Sequence, residues 1–445
     1  MKHNFIYIFF TLLILGSCSR KKDKFLNKKF HSTTTKYNYL FNGNNLLIQG
    51  IDQANSDLIE NFWELIPIEK FDLKKINEKE KEQSIFTDAE EKATLAIQKH
   101  SMSIMGEERN PIMDEAYLLL GKSRYYDGRY IPSLEAFNYI LYKYPKSELI
   151  NEVKIWKEKI NIKLNQNDFA ESNLRDLLEQ NNLSDLDKYN IYSILAQAAI
   201  NMQQFDNAIS YLKKSLEFGF RPEKIYRNKF LLSQLYERKE IKDTAFTEYS
   251  EIIDFNRKIP REFYIQSFLK KSNVTDSLSL SVSELSDLLK DFENSKFLDV
   301  INFQLAKLYL NEYKLKEQKE FELKSIGFFN KSLEQNSSDN YLVSRNYLNL
   351  AEINFNNKNY FEAGLYYDST LTKLEQKTKE ARTIKRRRES LSDLIFYEKA
   401  KQQSDSLVAL FSMNDQQQFK FFENYLTKQD SEKKKIVNQD FGAQN

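Results

Sequence analysis

The sequence predicts an all-α chain assembled from repeated helix pairs, and three observations predict it. Ten Gly and six Pro in 445 residues make under about 4% of the chain, where average usage gives roughly 12%. Sheet-rich folds consume those residues in their many tight turns, so helices are what remains. A hydrophobic content of 41%, with 14% aromatic residues, supplies enough apolar surface to bury and excludes wholesale disorder. One helical pattern, an apolar residue beside a small one followed by a second small residue, recurs along the chain. The net charge of +2 produces no whole-chain field toward nucleic acid or anionic lipid, so any basic site has to be local.

Taken in order, residues 1–17 read as a lipoprotein signal peptide. Lys2 supplies the charged start, Phe5 to Leu15 is apolar, and Leu15-Gly16-Ser17 precedes Cys18. The apolar stretch is about half the roughly 20 residues needed to cross a bilayer, which makes it a leader and not an anchor helix. Leu15-Gly16-Ser17-Cys18 resembles a lipobox, with Cys18 as the lipidation site and first mature residue. Acyl chains there would tether the protein to a membrane. Ser19 in place of Asp after the cysteine points to the outer membrane. The basic run Arg20, Lys21, Lys22, Lys24, Lys28 and Lys29, with Asp23 alone against it, points to a periplasm-facing body. Residues 18–85 are read as a lipidated tether and N-terminal segment.

From 86 to 375 the chain reads as an array of helix pairs with a period near that of the tetratricopeptide repeat, about 34 residues. The clearest copy is 114–147, with Tyr117, Leu120-Gly121, Ser133, Phe137 and Pro145. Others are 189–222 (Leu195-Ala196, Ala208), 226–255 (Leu232-Ser233, Ala245) and 344–375 (Leu350-Ala351, Ala363). A further copy from 299 (Leu305-Ala306) carries extra residues before Phe328 and Phe329. Residues 151–184 form a weaker copy around Ala170 and Leu174, and 86–102 looks like half a repeat. The spacing has a physical cause: small residues on facing helices let the two backbones approach and lock. Each pair leaves a face for the next to cover, so the array grows as a superhelical solenoid with a concave side. Residues 256–298 read as a less regular helical linker, 376–427 as polar C-terminal helices, and 428–445 as a disordered tail.

The residues that carry chemistry are few. With Cys18, His31 and His100, and His3 in the leader, there is no zinc ligand set and no cysteine-histidine pair for nucleophilic catalysis. No catalytic residue, cofactor, metal or small-molecule substrate is expected, and the chain reads as a non-enzyme. Ala116 to Ser123 fits the permissive phosphate-loop pattern, but Leu118, Leu119 and Leu120 continue a helix where that loop needs a preceding strand. Glu90-Glu91, Glu107-Glu108 and the run Lys385 to Arg388 read as solvated helix surface.

The stretches 18–45, NFWELIPIEKF (61–71), EEKATLAIQKHSM (90–102) and 113–145 together resemble the SprE/PorW family, tetratricopeptide lipoproteins of the type IX secretion system and gliding machinery. The likeness includes irregular stretches that generic repeats do not share, Tyr37-Asn38 with Phe41-Asn42-Gly43-Asn44 and Phe62-Trp63-Glu64. It covers the chain to about residue 400, whereas family members are usually about twice this length. The resemblance implies support of protein export through contacts with trans-envelope ring and motor components. In the usual repeat geometry the partner-binding groove would be lined by Lys122, Tyr125, Tyr126, Gln197, Asn201, Arg227, Gln234, Arg238 and Arg345. Two other lipoprotein classes use similar repeats: SusD-type nutrient binders and outer-membrane protein assembly factors. The first usually needs exposed aromatic platforms on long loops, and this chain has only Trp63 and Trp156.

Overall fold

The computed structural model describes residues 19–70, 84–180, 182–219 and 221–427. Cys18, the signal peptide and the tail at 428–445 lie outside the described residues. The chain is all-α and tetratricopeptide-like, interrupted among the described residues by one hairpin of two-residue strands, β1 Ser103–Ile104 and β2 Glu107–Glu108. Helices α1 Phe25–Thr34 and α2 Phe41–Asp57 are joined by a π-helical turn at Thr35–Leu40, and α3 is Ile85–His100. Four pairs follow: α4 Met113–Tyr126 with α5 Tyr130–Lys143, α6 Ile150–Lys163 with α7 Asn167–Leu178, α8 Asp185–Asn201 with α9 Phe205–Glu217, and α10 Pro222–Arg238 with α11 Lys242–Asp254. Helix α12 Arg261–Val274 packs on α11 and closes the first of two compact units, which divide between Asp276 and Ser277. The second unit contains α13 Leu278–Lys290, the pair α14 Leu298–Lys316 and α15 Lys319–Glu334, the pair α16 Asn340–Asn356 and α17 Tyr360–Lys373, then α18 Lys379–Glu389 and α19 Ser392–Phe411. The stretch 256–298, read as a less regular linker, contains α12 and α13, whose Phe263, Ile265, Leu285 and Leu288 are buried.

The small-residue rule explains why the pairs form. A Cβ placed on Gly121 would lie 2.3 Å from the Phe137 ring, so glycine is required there by close approach. The Ser133 hydroxyl donates to the Gly121 carbonyl at 2.6 Å across the same contact. Ala196 with Ala208, Ser233 with Ala245, and Ala351 with Ala363 repeat the spacing, and all are fully buried. Seven residues after each first-helix position the backbone turns left-handed, at Gly128, Gln203, Glu240 and Lys358. There the N–H of the following residue bonds the carbonyl five residues back, as Gln204 does to Ala199 and Ile241 to Tyr236. This closes the first helix with the Schellman pattern.

The weak copy at 151–184 obeys the same frame. Asn165 takes the left-handed turn and Ala170 is the buried small residue on α7. That places Glu158 where the other pairs carry Gly, Ala or Ser. It is buried, accepts from Asn161 Nδ2 at 2.7 Å and Asn173 Nδ2 at 3.1 Å, and burial raises its pKa despite those bonds. Successive turns at 128, 165, 203 and 240 are thus 37, 38 and 37 residues apart, longer than the period of about 34. The difference is roughly one helical turn per pair. The pair α14–α15 carries seven residues more, with Ser325 donating to the Ala306 carbonyl at 2.9 Å. Seven residues are about two turns, one for each helix, so the small-residue contact survives the insertion.

The half repeat at 86–102 finds its partner in α2. Gly50 permits the approach, an added Cβ lying 2.7 Å from Phe86, and Gly43 does the same toward α4, where one would lie 2.6 Å from Leu119. Helix α1 docks on α3 through two buried histidines, with His31 Nδ1 2.9 Å from His100 Nδ1. The Thr35 hydroxyl donates to the His31 carbonyl, and Asn110 Nδ2 donates to both Thr35 Oγ1 and the His100 carbonyl. Burial, then the facing His31, Lys99 and Arg20, lowers the His100 pKa to about 4. The unfolded chain therefore takes up a proton near pH 6.5 that the folded chain refuses until about pH 4. Acidification through that window is expected to undock α1, read as falling amide-exchange protection, relative to the intrinsic rate at each pH, across Phe25–Thr34. In His100→Phe the protection should lose this pH dependence.

Candidate functional site

Concave-face residues of four successive first helices converge on one stretch of the chain itself. Residues 58–70 leave α2, adopt no regular secondary structure, and lie along the groove as a strap. The Gln234 side chain, on α10, reads its backbone twice: Oε1 accepts the Ile66 N–H at 3.0 Å and Nε2 donates to the Glu64 carbonyl at 2.9 Å. Gln197, on α8, accepts the Ile68 N–H at 2.8 Å. Arg227 Nε donates to the Pro67 carbonyl at 2.7 Å, and its Nη1 lies 2.7 Å from the Glu60 carboxylate. At the other end, Glu69 accepts from Tyr125 Oη at 2.7 Å and from Lys159 Nζ at 2.6 Å.

Apolar anchors sit between these polar contacts. Ile66 is only 1% exposed and joins the core formed by Phe230, Leu231, Tyr249 and Phe263. The Phe62 ring meets Phe230 and Phe263 edge-on, with centroids 5.5 and 5.1 Å apart. Burial pushes the Glu69 carboxyl up, but the Lys159 charge and the bonds from Lys159 and Tyr125 outweigh it and leave the pKa below its ordinary value. Burial, with the Glu69 charge behind it, holds the Tyr125 phenol far above its ordinary range, so Tyr125 stays a donor.

The other sequence-derived groove residues have different jobs. Asn201 accepts from Gln197 Nε2 at 2.9 Å and donates to Asn167 Oδ1 at 2.9 Å. This chain of amides turns Gln197 so that its oxygen faces the strap. Lys122 pairs with Glu152 at 2.6 Å and lies over Trp156. Tyr126 packs on Phe86 and Trp156, and Arg238 lies 4.6 Å from the Phe205 ring centroid. Arg345 belongs to the second unit, where it pairs with Glu380 at 2.6 Å and stacks on Tyr341. Lys159 was missed. It follows Glu158 as Gln197 follows Ala196 and Gln234 follows Ser233, and counting back eleven residues from Ala170 would have found it.

Several surface readings change. Glu90 is not solvated: it holds Arg124 at 2.8 Å and also Arg129. Burial raises its pKa, but bonds from the two guanidiniums outweigh this and lower it overall. Glu108 ties down the hairpin, accepting from Ser101 Oγ and from the Met102 and Asn110 N–H groups. In the basic run, Arg387 pairs with Glu352 and Arg388 with Asp368. Residues 116–123 are helix interior, with Leu118 to Gly121 and Ser123 buried, so their backbone N–H groups are spent within α4. Among the described residues no group of three or more His, Cys, Asp or Glu could hold a metal ion, and no helix is long and apolar enough to cross a membrane.

No protein-family model matches the chain, and no curated protein matches it. Similar solved structures include a tetratricopeptide repeat protein from Parabacteroides merdae, 12% identical, covering 61% of this chain and 96% of that one with a TM-score of 0.43. The C-terminal part of a TPR repeat-containing protein from Cytophaga hutchinsonii is 13% identical, covering 67% and 94% with a TM-score of 0.37. A thermophilic TPR protein from Thermus thermophilus is 18% identical, covering 52% and 96% with a TM-score of 0.27. The repeat assignment rests on the helix-pair geometry of this chain itself.

Proposed function

We propose that this chain is a lipid-anchored scaffold at the periplasmic face of the outer membrane, supporting type IX protein secretion and gliding motility by holding ring and motor proteins. The observation that carries the scaffold reading is the groove: side chains on two first helices, α8 and α10, hold an irregular segment by its backbone, and those of two more, α4 and α6, hold its Glu69 carboxylate. Repeat arrays present such surfaces to partner proteins. Support for the family is that the irregular stretch NFWELIPIEKF, part of the SprE/PorW resemblance, supplies most of the strap. Support for a membrane position comes from α1 and its surroundings. Phe25, Leu26, Phe30, Tyr37 and Phe41 are exposed near the exposed cations Lys21, Lys22, Lys24 and Lys29, close behind the lipidation site expected at Cys18. Aromatic and basic side chains together suit an anionic bilayer surface.

The test is co-purification of a tagged chain, with Cys18 intact, from membranes of its native host. The expected result is recovery of the trans-envelope ring and motor proteins of the secretion system. Recovery of a TonB-dependent transporter instead would assign a nutrient-binding role, and recovery of the β-barrel assembly core an assembly role.

A further inference from the structure

The strap occupies the groove in the manner of a ligand, and we infer that it is a placeholder. The groove of Lys159, Gln197, Arg227 and Gln234 is a peptide-binding site, and a partner's extended segment enters it by displacing residues 58–70. The ligand class is read from the strap: a segment without helix or strand that carries an aromatic anchor, a β-branched apolar residue, a proline and, two residues after the proline, an acidic side chain. This deepens the scaffold reading above and rests on it.

Four hydrogen bonds hold the strap by its backbone and use nothing of its side chains: two to Gln234, one to Gln197 and one to Arg227. Any chain that follows the same backbone path satisfies them. Gln234 pairs with the carbonyl of one residue and the N–H two residues on, as a neighbouring strand would. Selectivity comes from the other contacts. Phe62 needs the Phe230 and Phe263 rings, Ile66 needs a closed apolar site, and Glu69 needs Tyr125 and Lys159. Pro67 brings no N–H that the groove would have to satisfy, and its carbonyl is taken by Arg227.

The receptor side is organised from outside the strap. Asn167 and Asn201 set the Gln197 amide, so little ordering is left for an incoming chain to cost. A strap of this length without secondary structure is uncommon in a compact domain unless it serves a function. Tethering gives the strap an effective concentration of order millimolar. A competitor binding the open groove therefore sees its affinity reduced by the open fraction, about a hundredfold if one molecule in a hundred is open.

The experiment titrates a fluorescent peptide of residues 58–70 against the full chain and against the full chain carrying Phe62→Ser, Ile66→Ser and Glu69→Gln. The loosened chain is expected to bind at least about tenfold more tightly than the native chain, as competition predicts. Adding Gln234→Leu should remove most of that gain. A loosened chain that keeps its helical circular dichroism yet binds no better than native overturns the proposal. Should the loosened chain not fold, hydrogen exchange on the native chain decides. The Ile66 and Ile68 amides are expected to exchange at least about a hundredfold faster than those of Leu232 and Leu235, through strap opening alone. Equal rates would make the strap permanent core and overturn the placeholder, while leaving the scaffold reading intact. Peptide exchange without recovery of ring and motor proteins would do the reverse, removing the secretion assignment and keeping the site.

Discussion

Replacing Phe230 with Ala is expected to destabilise the N-terminal unit by about 3–5 kcal/mol, the range for removing a fully buried aromatic ring. Phe230 is 0% exposed. Its ring meets Tyr249 of its own pair at 5.6 Å, Phe263 of the next helix at 5.3 Å and Phe62 of the strap at 5.5 Å, each in an edge-to-face arrangement. One truncation therefore loosens three elements, two helices that follow in sequence and the strap from far upstream. In a repeat array stability is a sum of pair and nearest-neighbour terms, so the loss should stay local. Urea denaturation followed by circular dichroism is expected to show the transition of the N-terminal unit moving to lower urea, with the transition of residues beyond Asp276 unmoved. Phe292→Ala, at a residue 89% exposed, should move neither by more than about 0.5 kcal/mol. A Phe230→Ala chain that unfolds at the native midpoint would refute this account of the core.

The repeat frame was legible because its signal is local. Gly121 with Ser133, and Ala196 with Ala208, are small for a reason of contact that recurs at fixed spacing, so the spacing betrays the contact. Where the small residue is replaced, the signal fails. Glu158 stands in that place, solvated by two asparagines instead of being small, and its neighbour Lys159 was lost from the groove along with it. Helix α2 was illegible for another reason: Gly43 and Gly50 weaken helix propensity and suggest loop, yet they are there for close packing on Leu119 and Phe86. The place of the strap had no local signal at all. Ile66 and Gln234 are 168 residues apart, and nothing in the period of either segment shows that the first-helix amides are spent on the chain's own backbone. Four of the nine positions named from the repeat, Tyr125, Gln197, Arg227 and Gln234, meet the strap, but the repeat did not show what they would meet.

Arg227→Ala is expected to cost about 3–5 kcal/mol at neutral pH, because it leaves a buried carboxylate without its cation. The Glu60 side chain is 5% exposed and that of Arg227 is 11% exposed, with 2.7 Å between their charged atoms. Glu262 lies close enough to feel both: burial raises its pKa, Lys70 lowers it, Glu60 raises it further and Arg227 lowers it. Without Arg227 the two carboxylates face each other with Lys70, 3.9 Å from Glu262, as the nearby cation. The loss should therefore depend on pH with a definite sign. An acid whose folded pKa rises binds more protons folded than unfolded, so stability returns as pH falls. The deficit of Arg227→Ala relative to native should shrink between pH 7 and pH 4, measured by urea midpoints at each pH. A second comparison separates charge from packing. Replacing the pair together, as Glu60→Leu with Arg227→Met, removes both the attraction and the uncompensated charge, so it should recover most of the loss. Some deficit should remain, since the Pro67 carbonyl loses the bond from Arg227 Nε, and a net hydrogen bond is worth about 1 kcal/mol. A pair replacement as damaging as Arg227→Ala alone would mean that the guanidinium holds the strap chiefly through the Pro67 carbonyl, with Glu60 a bystander.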